Sequence, residues 1–227
     1  MSSAYLVAGC KPWSRRIYDQ SLAQLPGEWQ FAGSVDQLTP HRIRSLSPRY
    51  IFFLHWSWKV PAEIYEPYEC VCFHMTDVPY GRGGSPLQNL IARGHRDTKL
   101  TALRMTAEMD AGPVYFKESL SLEGNAEEIY LRAANLSATM VRTIVQQEPT
   151  PVPQTGEAVL FTRRKPEESR IGDGLQSLEQ LHDFIRMLDA DGYPRAFVEY
   201  GGFRLELSRS ALYDGRIVAD VKIEKLS

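Results

Sequence analysis

The stretch Cys72-Phe-His-Met-Thr-Asp-Val-Pro-Tyr-Gly-Arg-Gly-Gly-Ser-Pro86 brings a histidine to the end of an apolar run and follows it with a loop rich in glycine and proline. The apolar run, Cys70–His74, is one of four early in the chain; the others are Ala4–Gly9, Trp29–Gly33 and Tyr50–His55. The segments between them are long enough for helices, which predicts an α/β fold with a mostly parallel sheet. Such sheets bind ligands beyond the C-terminal ends of their strands, so His74 is expected at a ligand site.

The loop that follows His74 has the composition of a ligand-binding loop. Glycines at positions 81, 83 and 84 permit the backbone to approach a ligand closely. Ser85 is predicted to cap a helix from Pro86 to about Arg93, whose first amides favour oxygen-rich or anionic groups. A lone histidine in this setting is more often structural than catalytic.

A second cluster, Met109-Asp-Ala-Gly-Pro-Val114, places an acidic residue in a turn between two predicted strands, Leu100–Thr106 and Val114–Leu120. Taken alone, Asp110 could be an ordinary turn former. A long amphipathic helix is predicted over Asn125–Gln147, because its apolar residues recur at helical spacing.

The chain is predicted to divide at a proline-rich segment. Residues 1–147 form the core, 148–157 a linker with three prolines and no apolar periodicity, and 158–227 a small α+β subdomain. In the subdomain we predict a helix over Leu178–Leu188 and strands over Ala196–Tyr200, Phe203–Leu207 and Arg216–Ile223. Its aromatic residues could cover a second copy in a homodimer or pack its own core; they are Phe161, Phe197, Tyr200 and Phe203.

Composition narrows the class of protein. The 227 residues are 43% hydrophobic with a formal net charge of −2, which gives no general attraction to nucleic acid. Three cysteines make no disulfide framework, and no Cys/His spacing indicates a metal site. The first residues resemble neither a secretory signal nor a membrane span. These features predict a cytoplasmic protein without a membrane partner.

Together the two clusters resemble the formyltransferase family, which includes methionyl-tRNA formyltransferase, formyl-folate hydrolase and the sugar N-formyltransferases. The shared pattern comprises His74, Thr76, Val78-Pro79, Arg82-Gly83 and Pro86, with an Asp-x-Gly-Pro turn whose Asp110 lies 36 residues after the histidine. The resemblance implies a Rossmann-like core, N10-formyltetrahydrofolate as co-substrate, and transfer of its formyl group to a primary amine. It also implies that His74 handles the proton of the amine while Asp110 orients the ring.

Within that family, three stretches look most like sugar N-formyltransferases of the pseudaminic-acid-associated type: His55–Pro61, Gly81–Leu90 and Phe161–Glu167. The short N-terminus and small subdomain point the same way, away from tRNA. The resemblance therefore implies a nucleotide-linked amino sugar as acceptor, a 4-amino-4,6-dideoxy hexose of nonulosonic acid or surface glycan synthesis, and no nucleic-acid partner. The alternatives are formyltetrahydrofolate hydrolysis and a degenerate folate- or nucleotide-binding module without catalysis.

The resemblance also assigns the remaining site residues. Contacts to the folate are expected from Trp56, Ser57, Trp58 and Gly112, and contacts to the acceptor from Thr76, Tyr80, Arg82, Gly83 and Gly84. Trp58 could stack on a flat ring or could be part of a lid packed on the core. Arg82 could pair with a phosphate or brace the loop through backbone carbonyls.

Cys72 departs from the family pattern, which has an asparagine two residues before the histidine as a donor to the oxyanion. A thiol is a weak hydrogen-bond donor. Three interpretations follow: another donor substitutes, such as a backbone amide of the glycine-rich loop; activity is reduced; or catalysis is lost. We favour the first. A covalent formyl-thioester at Cys72 is a further, less favoured alternative, because buried strand cysteines are usually inert.

Overall fold

A computed structural model describes residues 3–226, whose chain alternates strands and helices. The strands are β1 Ala4–Ala8, β2 Glu28–Ala32, β3 Tyr50–Phe53, β4 Cys70–His74, β5 Tyr80–Gly83, β6 Asp97–Arg104, β7 Val114–Ser121, β8 Val159–Phe161, β9 Ala196–Tyr200, β10 Phe203–Tyr213 and β11 Arg216–Lys225. The α-helices are α1 Pro12–Ile17, α2 Pro40–Leu46, α3 Ala62–Tyr65, α4 Pro86–Ala92, α5 Ala126–Gln147 and α6 Leu178–Arg186. Short π and 3₁₀ turns cover Tyr18–Leu22, Val35–Gln37 and Pro166–Ser169.

The large sheet has the strand order β2-β1-β3-β4-β6-β7. Its β1, β2, β3 and β4 pair in parallel, while β6 runs antiparallel to β4 with Thr101 opposite His74. The expected α/β fold is confirmed. The sheet is mixed, because β6 enters it antiparallel to β4 after α4.

The inner parallel strands β1 and β3 are continuous apolar runs because both of their faces are covered. All four residues of β3 are buried, as are four of the five in β1. One core cluster joins residues of the strands to residues of α2 and α3: Leu6, Ala8, Ala32, Leu38, Ile43, Ile51, Phe53, Val60, Ile64 and Cys70. This core makes the C-terminal ends of β1, β3 and β4 a firm support for the loops that follow them.

The start of α4 differs from the sequence expectation. The helix begins at Pro86 and ends at Ala92, close to the predicted bounds, but Ser85 does not cap it with its side chain. Ser85 adopts a left-handed conformation (φ 50°), and its Oγ accepts a hydrogen bond from the amide of Arg164 at 3.0 Å. A helix of seven residues with this start gives no support for the predicted anion site at its N-terminus.

Internal contacts group the chain into two compact units. The first comprises the chain up to Arg82 with Lys99–Leu120 and Leu131–Leu160, and the second comprises Gly83–Thr98, Ser121–Tyr130 and the chain from Phe161 onward. This grouping differs from a single boundary at 148–157, because α4 and the start of α5 group with the C-terminal chain. The segment 148–157 is also tied down: Val152 and Val114 exchange two backbone hydrogen bonds of 2.8 and 2.7 Å.

The second unit contains the antiparallel sheet β11-β10-β9 and α6. Both β10 and β11 extend beyond the predicted strands, and their register shifts between Ser208 and Ala211. Of the four aromatic residues singled out in the sequence, Phe161 and Phe197 are buried, while Tyr200 and Phe203 are exposed. The two buried rings pack within the protein, and a homodimer remains a prediction. Within residues 3–226, no helix is long and apolar enough to cross a membrane.

Candidate active site

His74 stands at the C-terminal end of β4 with 8% of its surface exposed. Its Nε2 lies 2.8 Å from the carbonyl oxygen of Gly81. Its Nδ1 lies 3.5 Å from Oδ2 of Asp110, whose side chain is 15% exposed. The two residues that the sequence motifs singled out, 36 positions apart, are therefore in contact.

These contacts define what the ring can do with a proton. The Gly81 oxygen is an acceptor only, so Nε2 carries a hydrogen and donates it. In the neutral ring Nδ1 then presents a lone pair toward the carboxylate, whereas in the imidazolium it presents an N–H. The contact with Asp110 becomes favourable when the ring takes up a proton, which is the requirement for a general base.

Asp110 lies in the turn between β6 and β7 with φ of +54°, a left-handed conformation that Asp and Asn adopt more readily than most residues other than glycine. The turn is built on close backbone approach at Gly112, where an added Cβ would lie 1.8 Å from the carbonyl oxygen of Arg104. Glycine is required there by the chain itself, whether or not a ligand also contacts it.

Thr76 binds the same Gly81 carbonyl oxygen as His74. It is fully buried, and its Oγ1 donates to the Gly81 oxygen at 3.2 Å. Thr101 donates in turn to the Thr76 carbonyl at 2.7 Å. The Thr76 hydroxyl is thus occupied in holding the loop that holds the His74 ring.

Cys72 lies on β4 beside the pair. Its Sγ donates to the carbonyl oxygen of Leu103 at 3.7 Å. Burial raises the pKa of the Cys72 thiol, and the nearby Asp110 carboxylate raises it further. The group is therefore a neutral thiol whose hydrogen points to the neighbouring strand. This favours a packing role over a nucleophilic one.

The loop after β3 carries the predicted folate contacts. Trp56 and Trp58 meet edge to face with ring centroids 4.9 Å apart. Trp58 is 46% exposed, while the buried Nε1 of Trp56 has no hydrogen-bond partner among residues 3–226. The Ser57 hydroxyl lies 3.3 Å from Sγ of Cys10. An exposed ring beside a buried unsatisfied donor suits a flat ligand with acceptor atoms, as a pterin is.

His55 opens that loop in a left-handed conformation (φ 56°). Burial, and then the charge of Lys11, lowers its pKa to about 4. The ring of Trp13 stands edge-on to it, with centroids 5.3 Å apart. His55 is therefore a neutral packing residue at pH 7.

Arg82 and Tyr80 belong to β5. The side chain of Arg82 is 13% exposed, and its guanidinium donates to Oε1 of Gln154 from Nε at 3.0 Å and from Nη2 at 2.9 Å. Its Nη1 lies 3.5 Å from Glu108. Arg82 therefore braces neighbouring chain segments through side chains, and its donors are largely occupied. Tyr80 is partly buried at the first position of the strand.

Gly83 and Gly84 belong to the second unit. At both positions, nearby residues of the same unit leave no room for a side chain. A Cβ on Gly83 (φ +105°) would lie 2.5 Å from the carbonyl oxygen of Phe161, and one on Gly84 would lie 2.4 Å from Cβ of Arg163. The Gly84 amide donates to the Phe161 oxygen at 3.0 Å. That amide is thus not free to replace the missing asparagine donor.

Sequence reasoning missed one residue of this region. Gln154 lies in the predicted linker, yet its Nε2 donates to the carbonyl oxygens of Asp110 and Gly112, both at 2.8 Å. A glutamine between Pro153 and Thr155 has no local pattern that would mark it. No cluster of three His, Cys, Asp or Glu side chains suited to a metal occurs in the part of the chain described.

The chain is similar to known proteins along most of its length. The chain is 42% identical to a solved methionyl-tRNA formyltransferase from Clostridium thermocellum, with a TM-score of 0.93, covering 98% of this chain and 99% of that one. It is 27% identical over 168 residues to the methionyl-tRNA formyltransferase of Rickettsia felis, covering 71% of this chain and 55% of that protein. A model of the methionyl-tRNA formyltransferase C-terminal domain matches residues 166–224.

More distant solved structures share the fold alone. One is HypX from Aquifex aeolicus in complex with tetrahydrofolic acid, which is 19% identical with a TM-score of 0.73 over 91% of this chain and 37% of that one. Another is a likely sugar N-formyltransferase from Mycobacterium tuberculosis, which is 17% identical with a TM-score of 0.71 over 97% of this chain and 96% of that one. The expected special similarity to sugar enzymes of the pseudaminic-acid type is not confirmed. The chain spans about half to two thirds of the length of the curated relatives it matches. Because a relative 42% identical is matched along nearly its whole length, the chain belongs to the formyltransferase family that includes the methionyl-tRNA formyltransferases.

Proposed function

We propose that this chain transfers the formyl group of N10-formyltetrahydrofolate to a primary amine. The observation that carries the proposal is the contact between His74 and Asp110 at the end of a parallel strand, where α/β sheets bind ligands. The family match adds support, because relatives with this fold carry formyltransferase names.

Bound folate supplies the activated formyl carbon, and the residues of the chain manage the proton. A primary amine that attacks this carbon must lose a proton. Because Nε2 of His74 already donates to Gly81, the proton would be taken up at Nδ1, on the side that faces Asp110. It would pass to N10 of the folate as the bond between N10 and the formyl carbon breaks, which releases tetrahydrofolate. Asp110 stabilises the resulting imidazolium through Nδ1, while the Gly81 carbonyl holds Nε2 and fixes the plane of the ring. Asp110 acts as an orienting group and forms no bond to the substrate.

Trp56, Ser57 and Trp58 are the proposed folate contacts. The exposed face of Trp58 offers a stacking surface, and Nε1 of Trp56 offers a buried donor that lacks a partner in the part of the chain described. Binding of a ring that bears acceptor atoms would satisfy that donor and remove the cost of leaving it unpaired.

Negative charge on the formyl oxygen needs a donor other than Cys72. The Cys72 thiol donates to the carbonyl of Leu103 instead. Loss of one hydrogen-bond donor to an oxyanion typically lowers kcat by about 100-fold. We propose that a backbone amide around the site supplies this donor. The amide of Gly84, which donates to Phe161, does not supply it.

The first acceptor to consider is the amine of a methionyl group carried by tRNA. Relatives at 42% and 27% identity are named for that substrate. A tRNA substrate would require a local basic surface, since the net charge of the chain is only −2.

The second acceptor is the amine of a nucleotide-linked amino sugar such as a 4-amino-4,6-dideoxy hexose. The weak negative charge of the chain favours a small acceptor over a polyanion, and this is the observation that keeps the sugar in consideration. Hydrolysis of the formyl-folate, with water in place of the amine, and ligand binding without turnover are the remaining alternatives.

One experiment separates these functions. The purified protein is incubated with N10-formyltetrahydrofolate labelled in the formyl group and with methionyl-tRNA, with a nucleotide-linked 4-amino-4,6-dideoxy hexose, or with no amine. Label recovered on one amine identifies the acceptor. Labelled formate formed equally with and without amine would establish hydrolysis and contradict the transferase proposal. Binding of folate without turnover would establish the degenerate module.

A further inference from the structure

Gln154 occupies an unusual position for a linker residue. It lies 44 residues from Asp110 in the sequence, but its side-chain amide spans the gap between β5 and the turn that carries Asp110. Its oxygen accepts two hydrogen bonds from Arg82, and its nitrogen donates one to each of two turn carbonyls, those of Asp110 and Gly112.

All four bonding positions of this amide are filled. The two lone pairs of Oε1 face two guanidinium N–H groups, and the two hydrogens of Nε2 face two carbonyl oxygens. A flipped amide would place its nitrogen against Arg82 and its oxygen against two carbonyls. Only one orientation is therefore compatible with the neighbours, so the side chain is fixed rather than adaptable.

The backbone delivers Gln154 to this place. Val152 pairs with Val114 through two hydrogen bonds, and these residues lie two positions before Gln154 and two positions after Gly112. The bridge sets the register of the linker against the first residue of β7. Gln154 then reaches the turn from the chain segment beside it.

The group held in place is the one on which the proposed chemistry depends. Asp110 adopts a left-handed conformation, and the carbonyl that Gln154 binds is its own. Holding that carbonyl restrains the peptide plane after Asp110, and with it the backbone position from which the side chain of Asp110 reaches His74. A shift of about 1 Å at such a residue can cost on the order of 100-fold in rate.

We propose that Gln154 is a positioning residue, held by Arg82, that sets Asp110 against His74. This inference rests on the proposed formyl transfer. It assigns Gln154 no contact with substrate; its effect passes through the turn.

The test uses the full chain with Gln154→Glu, which keeps an acceptor for Arg82 but turns a carboxylate oxygen toward the two turn carbonyls. Gln154→Met, of similar length and without hydrogen bonds, is the second variant. The matched control is Thr155→Ala, at the exposed residue that follows Gln154 in the chain. We expect both Gln154 variants to keep the fold and the KM for formyl-folate within about twofold while kcat falls about 10- to 100-fold. The control should keep both constants.

A second readout does not require turnover. In ¹⁵N-labelled protein, the ring resonances of His74 are assigned by their disappearance in His74→Asn. We expect these resonances to move in both Gln154 variants beyond any change in Thr155→Ala, because Asp110 shifts relative to Nδ1. Unchanged resonances together with unchanged kcat would overturn the proposal. Loss of the fold in both variants would also overturn it, since Gln154 would then be a folding residue.

The two proposals fail separately. If the wild-type protein transfers formyl to no amine, the proposed function fails, while the His74 resonances still decide whether Gln154 positions Asp110.

Discussion

Nδ1 of His74 lies 3.5 Å from Oδ2 of Asp110, while Nε2 of the same ring is held by the Gly81 carbonyl at 2.8 Å. The ring is thus fixed at one nitrogen and faces a carboxylate with the other. Two residues arranged in this way act as one unit, since the carboxylate is useful only when the ring carries the extra proton.

The contact between His74 and Asp110 predicts that substitutions of the two residues lower kcat non-additively. His74→Asn and Asp110→Ala should each lower kcat by at least about 100-fold while the circular dichroism spectrum stays that of the folded protein. The double variant should be little worse than the more damaging single one. Rates are compared at saturating substrate. A double variant that loses the sum of both single effects would show that the residues act independently.

Cys72 should be dispensable. Because its thiol is neutral and donates to Leu103, Cys72→Ala should keep activity within about tenfold, the loss of a weak donor being worth roughly 1 kcal/mol or less. Cys72→Asn should equal or exceed the wild-type rate if the strand accommodates the larger amide.

A covalent role for Cys72 gives the opposite results. Cys72→Ala would abolish turnover, and intact-protein mass spectrometry of the wild type with formyl-folate alone would show an added formyl group. A wild type without turnover beside an active Cys72→Asn would instead support the degenerate module.

Gly112 should tolerate no side chain. Because a Cβ there would lie 1.8 Å from the Arg104 carbonyl oxygen, Gly112→Ala should lower the free energy of unfolding by about 1–3 kcal/mol and also lower kcat by displacing Asp110. Gly172→Ala is the control, since nothing lies within 4 Å of its added Cβ. Urea unfolding of both variants measures the difference; equal stability would show that the turn relaxes without cost.

His55 should make stability depend on pH. Its folded pKa of about 4 lies below the unfolded value of 6.5, so the unfolded chain binds the proton first as the pH falls. The neutral His55 ring contributes up to about 3 kcal/mol to the free energy of unfolding. This contribution is complete above pH 6.5 and is lost as the pH falls from 6.5 to about 4.

His55→Asn, which suits the left-handed backbone, should flatten the pH dependence of the free energy of unfolding in that window. The exposed His41→Asn is the control and should leave it unchanged. A His55→Asn protein with the wild-type slope between pH 4 and 6.5 would contradict the buried neutral state of the ring.

The sequence predicted those strands and helices whose apolar residues recur with a regular local period. β4 occurs at its predicted bounds, and the long helix begins within one residue of its predicted start, because buried strands and amphipathic helices have a readable period. The pairing of His74 with Asp110 followed from the family resemblance, since spacing alone cannot show that two residues 36 apart touch.

Other features depend on tertiary contacts without a local signature. The antiparallel pairing of β6 with β4 joins residues about 30 positions apart, and the apolar pattern of neither strand indicates its direction. The reason for Gly83 is a carbonyl of Phe161, distant in sequence. Gln154 looked like a linker residue because its four hydrogen bonds connect segments that only the folded chain brings together.

The most direct test of the proposed chemistry is the stoichiometry of tetrahydrofolate release in the presence of the acceptor amine. The wild type should release one tetrahydrofolate for each N-formylated amine, with no release when the amine is absent, and His74→Asn should do so at least about 100-fold more slowly. Release that does not depend on the amine, or a His74→Asn rate equal to that of the wild type, would contradict a transfer in which His74 removes the proton of the amine.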